Sequence, residues 1–425
     1  MAETAGAGQT LLPPPFAQAT PQPPGDDFTV WVVGPFHTPG ASYDRTTHCA
    51  FTNRMLTTAA MLAARVPRYV ELHNEHSETE APNKVTVLTE AERGTLFPDA
   101  RGAFVGDAAV VGSPGWRAFD ERVRAYLARH ATRPGDVVLH MYGAAHAGLV
   151  GDLPHLVHVD ASGGSTDREF GAFRLFDSNA HRSWQLSRAQ ELRRCLAGVL
   201  PPAAPPPPLD PRGASVRYSW VVPTALDPRH WRPPVGSPGQ ADYVLFFGRA
   251  VPSKGVVAFA AIAEAWQRAN GTALRFVAVG QGTDRLVNPP PGVDWRPAVH
   301  TTAERAALLA GARCVVVPTE THEPWACVSV EAQCMGTPVL ASPSGGLCEN
   351  VKHGRSGFHC RTLGDWLAGI AAVGRLDRAR VAARAWRRWG TDAVAPGLLA
   401  ALLEARDAHV GAGWQTPVTR RADIA

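Results

Sequence analysis

Glu323 and Glu331 stand eight positions apart in the stretch Pro318-Thr-Glu-Thr-His-Glu323-Pro324-Trp325-Ala-Cys-Val-Ser-Val-Glu331-Ala-Gln-Cys-Met-Gly336-Thr-Pro338. Pro324 suits the first position of a helix, where its missing N–H costs nothing, and Gly336 followed by Pro338 is a stop signal. The spacing therefore predicts a helix over 324–335. At 1.5 Å of rise per residue the two carboxylates would lie about 12 Å apart along its axis. A directly cooperating acid/nucleophile pair needs about 5 Å, so the spacing suits two ends of one extended ligand instead. The unpaired amides at such a helix start favour a phosphate or a sugar hydroxyl. A capped surface helix with two solvated glutamates fits the spacing equally well.

A second group is Phe247-Gly248-Arg249-Ala-Val-Pro-Ser-Lys254-Gly255. It follows a strand-like run and opens a helix, so an arginine, a lysine five residues on and a helix start together would make an anion pocket. The pattern G-x-x-x-x-G-K-[ST] is absent, so this is no Walker loop. The basic residues divide into 39 Arg and three Lys, Lys84, Lys254 and Lys352. A retained lysine therefore carries weight as a compact ammonium. Gly280-Gln-Gly282 and Ser344-Gly345-Gly346 add two more tight turns at predicted strand ends.

The elements that must position these residues fall into two alternating series. The first holds strand candidates Phe28–Val33, Arg68–Leu72, Asp136–His140, Leu156–Val159, Phe173–Phe176 and Val216–Val222, with helical spacing near 46–65 and over 116–130. The second holds strands 243–247, 274–279, 314–317 and 338–341 and helices 255–270, 302–311 and 324–335. Strands alternating with helices imply a parallel sheet covered on both faces. The expected fold is α/β, as two Rossmann-like halves with a boundary near 225–240 and a ligand cleft at the carboxyl ends of the strands. Residues 1–26 read as a disordered tail, 27–230 as a first domain, 240–375 as a second, and 376–425 as closing helices. The Pro-rich run 201–211 excludes helix and central strand.

The 425-residue length suggests two or three domains. With 45% hydrophobic residues the chain can build real cores, and its formal charge, 42 − 38 = +4, implies no polyanion partner. No apolar run reaches the length of a transmembrane helix, and the opening residues lack the basic start and apolar core expected of a secretory signal. Seven cysteines without a C-x-x-C pair fit reduced thiols in a cytoplasmic compartment, a host's cytoplasm if the chain is viral. No G-x-G-x-x-G follows the first strand of either half, which argues against a dinucleotide oxidoreductase. The arginine-rich segment 375–389 could offer a basic face to acidic lipid headgroups, or be a solvated helix face with aromatic anchors.

In order and spacing, these motifs resemble the retaining GT-B glycosyltransferases of the family 4 type, the glycosyl transferases group 1. Phe247–Gly255 is similar to their G-R-x(4)-K-G, Glu323 to Glu331 to their E-x7-E, and Gly336-Thr-Pro338-Val to G-x-P-V. Ser344-Gly345-Gly346 with Glu349 resembles G-G-x-x-E, and Val221–Asp227 the junction motif V-I-P-N-x-x-D, with Thr224 in place of the asparagine. In the first half, Val33-Gly34-Pro35 and Asp136–His140 are thinner matches. Thr46-Thr-His-Cys-Ala-Phe-Thr52 and Phe173–Ser178 look like a subgroup common in large viruses and bacteria.

The resemblance implies a two-domain enzyme that moves a sugar from a nucleotide-diphosphate donor to a glycan, protein or small-molecule acceptor, with retained anomeric configuration and no cofactor or metal. Arg249 and Lys254 would hold the diphosphate and stabilise its departing charge. Glu323 would face the transferred sugar and Glu331 the ribose hydroxyls. Backbone amides around Trp325, Ala326 and Cys327 would touch that sugar. Gly34, Gly248, Gly282, Gly345 and Gly346 would allow close approach to the donor, although Ala326 stands where the family usually has glycine. His140 would approach the sugar from across the cleft, with His146 as its competitor. The last helices would cross back to the first domain. A sugar- or nucleotide-binding module without turnover is the rival reading; a nucleic-acid partner has only the arginines behind it. Lys254→Ala is expected to remove transfer and leave thermal unfolding nearly unchanged.

Overall fold

The computed structural model describes residues 28–44, 50–98, 111–161, 172–187, 218–232 and 243–410. The predicted tail 1–26, the Pro-rich run 201–211, Cys49 and Cys195 lie outside them.

The first sheet has seven parallel strands. These are β1 (Thr29–Val33), β2 (Arg68–His73), β3 (Asn83–Thr86), β4 (Val137–His140), β5 (Val157–Asp160), β6 (Phe173–Phe176) and β7 (Tyr218–Val221). Their order is β3-β2-β1-β4-β5-β6-β7. β1 is central, and all five of its residues, Thr-Val-Trp-Val-Val, are buried, as expected for a strand covered on both faces. The second sheet holds β8 (Tyr243–Phe247), β9 (Arg275–Val279), β10 (Val293–Arg296), β11 (Cys314–Val317), β12 (Val339–Ala341) and β13 (Gly357–His359), ordered β10-β9-β8-β11-β12-β13. Both sheets reverse direction of growth beside their first strand, between β1 and β4 and between β8 and β11. That is the switch point where such sheets open a crevice at the strand carboxyl ends.

Four helices shape the cleft: α1 (Ala50–Leu62) in the first half, and α2 (Val256–Asn270), α3 (Thr302–Gly311) and α4 (Cys327–Cys334) in the second. α3 starts sharply because Thr301 and Glu304 form a reciprocal capping box. α4 starts at Cys327 and not at Pro324. Ala326 takes a left-handed conformation, φ 61° and ψ 72°, which breaks the helix before it. Glu323 therefore lies on a loop, and the helical rise does not describe its separation from Glu331.

Two further helices, α5 (Arg378–Trp389) and α6 (Thr391–Val410), end the described residues. α5 buries Val381, Ala385 and Trp389, and Arg378 ties it down by donating to the Ala312 carbonyl at 2.9 Å. α6 packs Leu398, Ala401 and Leu402 into the core of the first half beside Met55, Val30 and Val32. The chain thus crosses between the halves twice, and the crossings bond to each other. Leu226 N–H donates to the Trp389 carbonyl at 2.8 Å, and Thr391 N–H to the Leu226 carbonyl at 3.0 Å. Among the described residues no helix is long and apolar enough to cross a membrane.

Candidate active site

Rigid backbone surrounds the 248–255 loop. Gly248 N–H donates to Val279 and Ala250 N–H to Gln281, at 3.0 and 2.9 Å. The Ser253 carbonyl accepts from Glu320 N–H at 3.1 Å and from the Thr319 hydroxyl at 3.0 Å. Gly255 turns left-handed, φ +77°, and a Cβ there would stand 1.8 Å from the Pro318 carbonyl oxygen. The turn therefore demands glycine. It leaves Arg249 and Lys254 both lining one cavity of about 240 Å³ between the two halves. The Lys254 ammonium lies 2.7 Å from Glu323 Oε2. The Glu323 side chain is only 10% exposed and that of Lys254 32%, so the carboxylate is the buried member of the pair. Lys254→Ala would strand a buried carboxylate, so the expectation of unchanged unfolding is corrected: stability must fall as well.

Close backbone approach holds the 323–327 loop. Gly345 has φ +55°, and a Cβ there would sit 2.1 Å from the Glu323 carbonyl oxygen; one on Gly346 would meet the Pro324 oxygen at 2.5 Å. Gly346 N–H donates to the Glu323 carbonyl at 2.7 Å, and the Asn350 amide donates to the Trp325 carbonyl. From the first half, the Ser178 hydroxyl donates to the Pro324 carbonyl at 2.7 Å. The Ser178 hydroxyl oxygen in turn accepts from His181 N–H at 2.9 Å. Trp325, Cys327, Glu331 and Gly248 line the cavity. Gly345 and Gly346 act from beneath, as supports of the loop. Gly282 turns left-handed at φ +84° beside Ala250; its neighbours Gly280 and Gln281 are the cavity residues.

Glu331 meets Arg305, whose Nε donates to Oε2 at 2.8 Å and whose Nη2 lies 2.5 Å from the same oxygen. Burial pushes the Glu331 carboxyl up, and the guanidinium beside it pulls it back down. Across the cavity, Asn53, Arg54 and Thr57 of α1 form the wall of the first half. Arg54 Nη1 donates to Asp177 at 2.9 Å and Nη2 to the Val222 carbonyl at 3.3 Å. The Thr224 hydroxyl also reaches Asp177, at 3.0 Å, so threonine serves the junction by bracing that carboxylate.

Two expectations for the first half fail on geometry. Gly34 is buried at the end of β1, donating its N–H to Leu72, and does not line the cavity; a Cβ there would press on Met55 at 3.3 Å. α1 supplies the wall instead. His140 is fully buried, with Nε2 2.9 Å from His158 Nδ1, and His158 Nε2 is 2.9 Å from the Leu153 carbonyl. His146 is buried too, its ring against Phe36 and Phe119. Neither histidine reaches the cavity, because the hydrogen bond to β5 and the aromatic packing hold the rings inside the sheet layer.

Burial depresses all three rings: His140 well below the ordinary histidine range, His146 to about 3 and His158 to about 4. They stay neutral in the fold while the unfolded chain takes up their protons below about pH 6.5. Stability is then lost as pH falls, by about 1.4 kcal/mol per pH unit per ring. Glu71, raised by burial to about 7, opposes one ring between about pH 4.5 and 7, because the fold holds its proton. The denaturation midpoint is expected to fall between pH 7 and 5. Replacing His146 by Phe should flatten that slope by one ring; urea unfolding at stepped pH reads both.

Among the described residues, Glu80, Asp227 and His230 have ligand atoms close enough to share a metal ion. Arg229 sits among them, 2.6 Å from both carboxylates. That cation already satisfies the charge, so the group reads as a brace. His230 stacks on Tyr43 at 3.6 Å between ring centroids.

Arg305, Arg54 and Asp177 were not among the residues singled out from the sequence. Arg305 had a usable signal: the Thr301-x-x-Glu304 box fixes where α3 begins and hence the face that Arg305 occupies. Arg54 and Asp177 are 123 residues apart in the chain; Asp177 lies in the Phe173–Ser178 stretch that resembles the subgroup, but nothing local pairs it with Arg54.

The model of the glycosyl transferases group 1 family matches residues 241–376, the segment that carries the cradle and both glutamates. Residues 241–376 are a group 1 glycosyltransferase domain. A D-inositol 3-phosphate glycosyltransferase of Nocardia farcinica is 33% identical over 238 residues, 48% of this chain and 52% of the relative. A glycogen synthase of Mycobacterium tuberculosis is 28% identical over 57% of this chain and 60% of the relative. The chain thus spans only about half to three-fifths of the length of these curated relatives. Among solved structures, AviGT4, a glycosyltransferase involved in avilamycin A biosynthesis, superposes with a TM-score of 0.56 at 20% identity, covering 91% of this chain and 99% of that one. Anabaena Alr3699/HepE in complex with UDP-glucose gives 0.55 at 13% identity, covering 87% and 98%. These likenesses establish the fold, which is GT-B: the group 1 domain is its second half, and the first half completes it.

Proposed function

We propose that this protein is a glycosyltransferase that moves a sugar from a nucleoside-diphosphate donor to an acceptor, with retained anomeric configuration. The observation that carries the reading is the convergence of Arg249, Lys254 and Glu331 on one interdomain cavity, with Glu323 bonded to Lys254 at 2.7 Å. Two cations on a rigid loop can take the diphosphate and stabilise the charge that develops as it leaves. The amides at the start of α4 and the Glu323 carboxylate offer hydrogen bonds to the sugar, and Glu331 offers acceptors to the ribose. The Alr3699/HepE complex with UDP-glucose, of the same fold, supports a nucleotide-sugar ligand.

No carboxylate is needed as a nucleophile in this reading. The leaving phosphate, held by Arg249 and Lys254, helps deprotonate the acceptor on the face from which it departs. The test is a panel of UDP-, GDP- and ADP-sugars with melting temperature and nucleotide release as readouts, followed by NMR of the product's anomeric proton. One donor family should raise the melting temperature and release its nucleotide, and the product should keep the donor's configuration. Binding without any release would favour a non-catalytic module.

A further inference from the structure

Arg305 lines the cavity and pairs with the carboxylate proposed to take the ribose, and contacts on several sides fix its placement. The capping box fixes the first turn of α3, and Thr302 N–H docks that turn onto the Tyr43 carbonyl of the first half at 2.9 Å. The guanidinium lies over Phe247 at 4.7 Å and near Trp231 at 5.8 Å, so aromatic packing orients its plane. Both of its contacts with Glu331 fall on Oε2.

We propose that Arg305 is a positioning residue that orients the Glu331 carboxylate to accept the ribose hydroxyls of the donor nucleotide. The proposal rests on the nucleotide-sugar reading above. Its logic is electrostatic: Glu331 is buried, burial favours its neutral form, and a neutral carboxyl accepts fewer hydrogen bonds than a carboxylate. Other groups bear on that charge. Arg249 and Lys254 from the β8 loop and Arg54 from α1 share the cavity. Cys327 and Cys334 lie on Glu331's own helix, with thiols held neutral by burial. α5, packed against α4, presents the apolar Val381, Ala385 and Trp389. Arg305 is in direct hydrogen-bond contact with the carboxylate.

The experiment compares binding of UDP, GDP and ADP with their 2′-deoxy counterparts, by calorimetry at pH 7 and pH 9, in wild type, Arg305→Gln and Arg305→Lys. Hydrogen bonds to a charged group predict a preference of about ten- to a hundredfold for the ribose form in wild type. In R305Q that ratio should shrink to below about threefold at pH 7 and be larger at pH 9, where more of Glu331 is ionised; R305K should keep most of it. Should R305Q fail to fold, Arg305→Leu keeps packing on Phe247 and carries the same comparison. A ratio in R305Q equal to wild type, or a loss that pH 9 does not lessen, overturns the role of Arg305. A wild type that does not distinguish ribose from deoxyribose overturns the ribose reading of Glu331 itself.

Discussion

Lys254→Ala is expected to lose sugar transfer by about 10²- to 10³-fold, the usual cost of removing one preorganised donor to developing charge. The loss should fall on kcat more than on KM, because the ammonium is needed most when the diphosphate departs. The same variant should be less stable by about 1–3 kcal/mol, since Glu323 is left buried without its partner. Adding Glu323→Gln separates the two effects. The double variant carries no stranded charge and should regain most of the stability, while transfer stays low. Steady-state transfer and urea unfolding on the three proteins read this directly. Recovery of transfer in the double variant would mean that Lys254 serves only as the counterion of Glu323.

Gly345→Ala is expected to destabilise the protein by roughly 2–4 kcal/mol and to abolish donor binding. The conformation at φ +55° already penalises a side chain, and the new methyl would stand 2.1 Å from the Glu323 carbonyl oxygen. That oxygen cannot give way cheaply, because Gly346 N–H holds it at 2.7 Å and the adjacent Pro324 carbonyl is held by Ser178. The 323–327 loop must move as a unit, taking Glu323 away from Lys254. Gly354→Ala is the control: φ is +71° there, with open space around the Cβ, so it should cost only about 1 kcal/mol. Equal effects of the two substitutions in thermal unfolding and nucleotide binding would mean that close approach between the loops is unimportant.

The second half was the more legible from sequence because its chemistry is written in local turns. A short buried strand, a glycine that must turn left-handed and a charged residue on the following turn leave a signature within about ten residues. Phe247–Gly255 and Ser344–Gly346 are both of this kind. The start of α4 was misread because Pro324 is compatible with a helix start, whereas the structure gives its carbonyl to Ser178 and the turn to Ala326. An alanine carries no warning of a left-handed turn in its own residue type; the one hint at Ala326 was that the family usually has glycine there. The first half was harder. Its cavity wall comes from one face of α1, and its bracing carboxylate, Asp177, comes from the end of β6. The cleft-facing role of His140 came from the family resemblance alone; its partner His158, on the neighbouring strand, takes it inward. Side-chain direction at a strand end depends on that lateral packing, which strand-forming residues alone do not specify.

The exposed polar edges β3 and β10 also escaped the pattern reading, since Asn83-Lys-Val-Thr and Val293-Asp-Trp-Arg lack buried-strand character. Missing them leaves the cleft intact, because both sheets open it beside β1 and β8, two strands away.

The central claim is that the Arg249 and Lys254 pair grips a diphosphate, and calorimetric titration with a nucleoside diphosphate and its monophosphate, base matched, tests it most directly. The account predicts that the diphosphate binds at least about tenfold tighter in wild type, and that Arg249→Ala removes most of that advantage while the monophosphate is little affected. Equal affinity for the two nucleotides in the wild-type protein would contradict it.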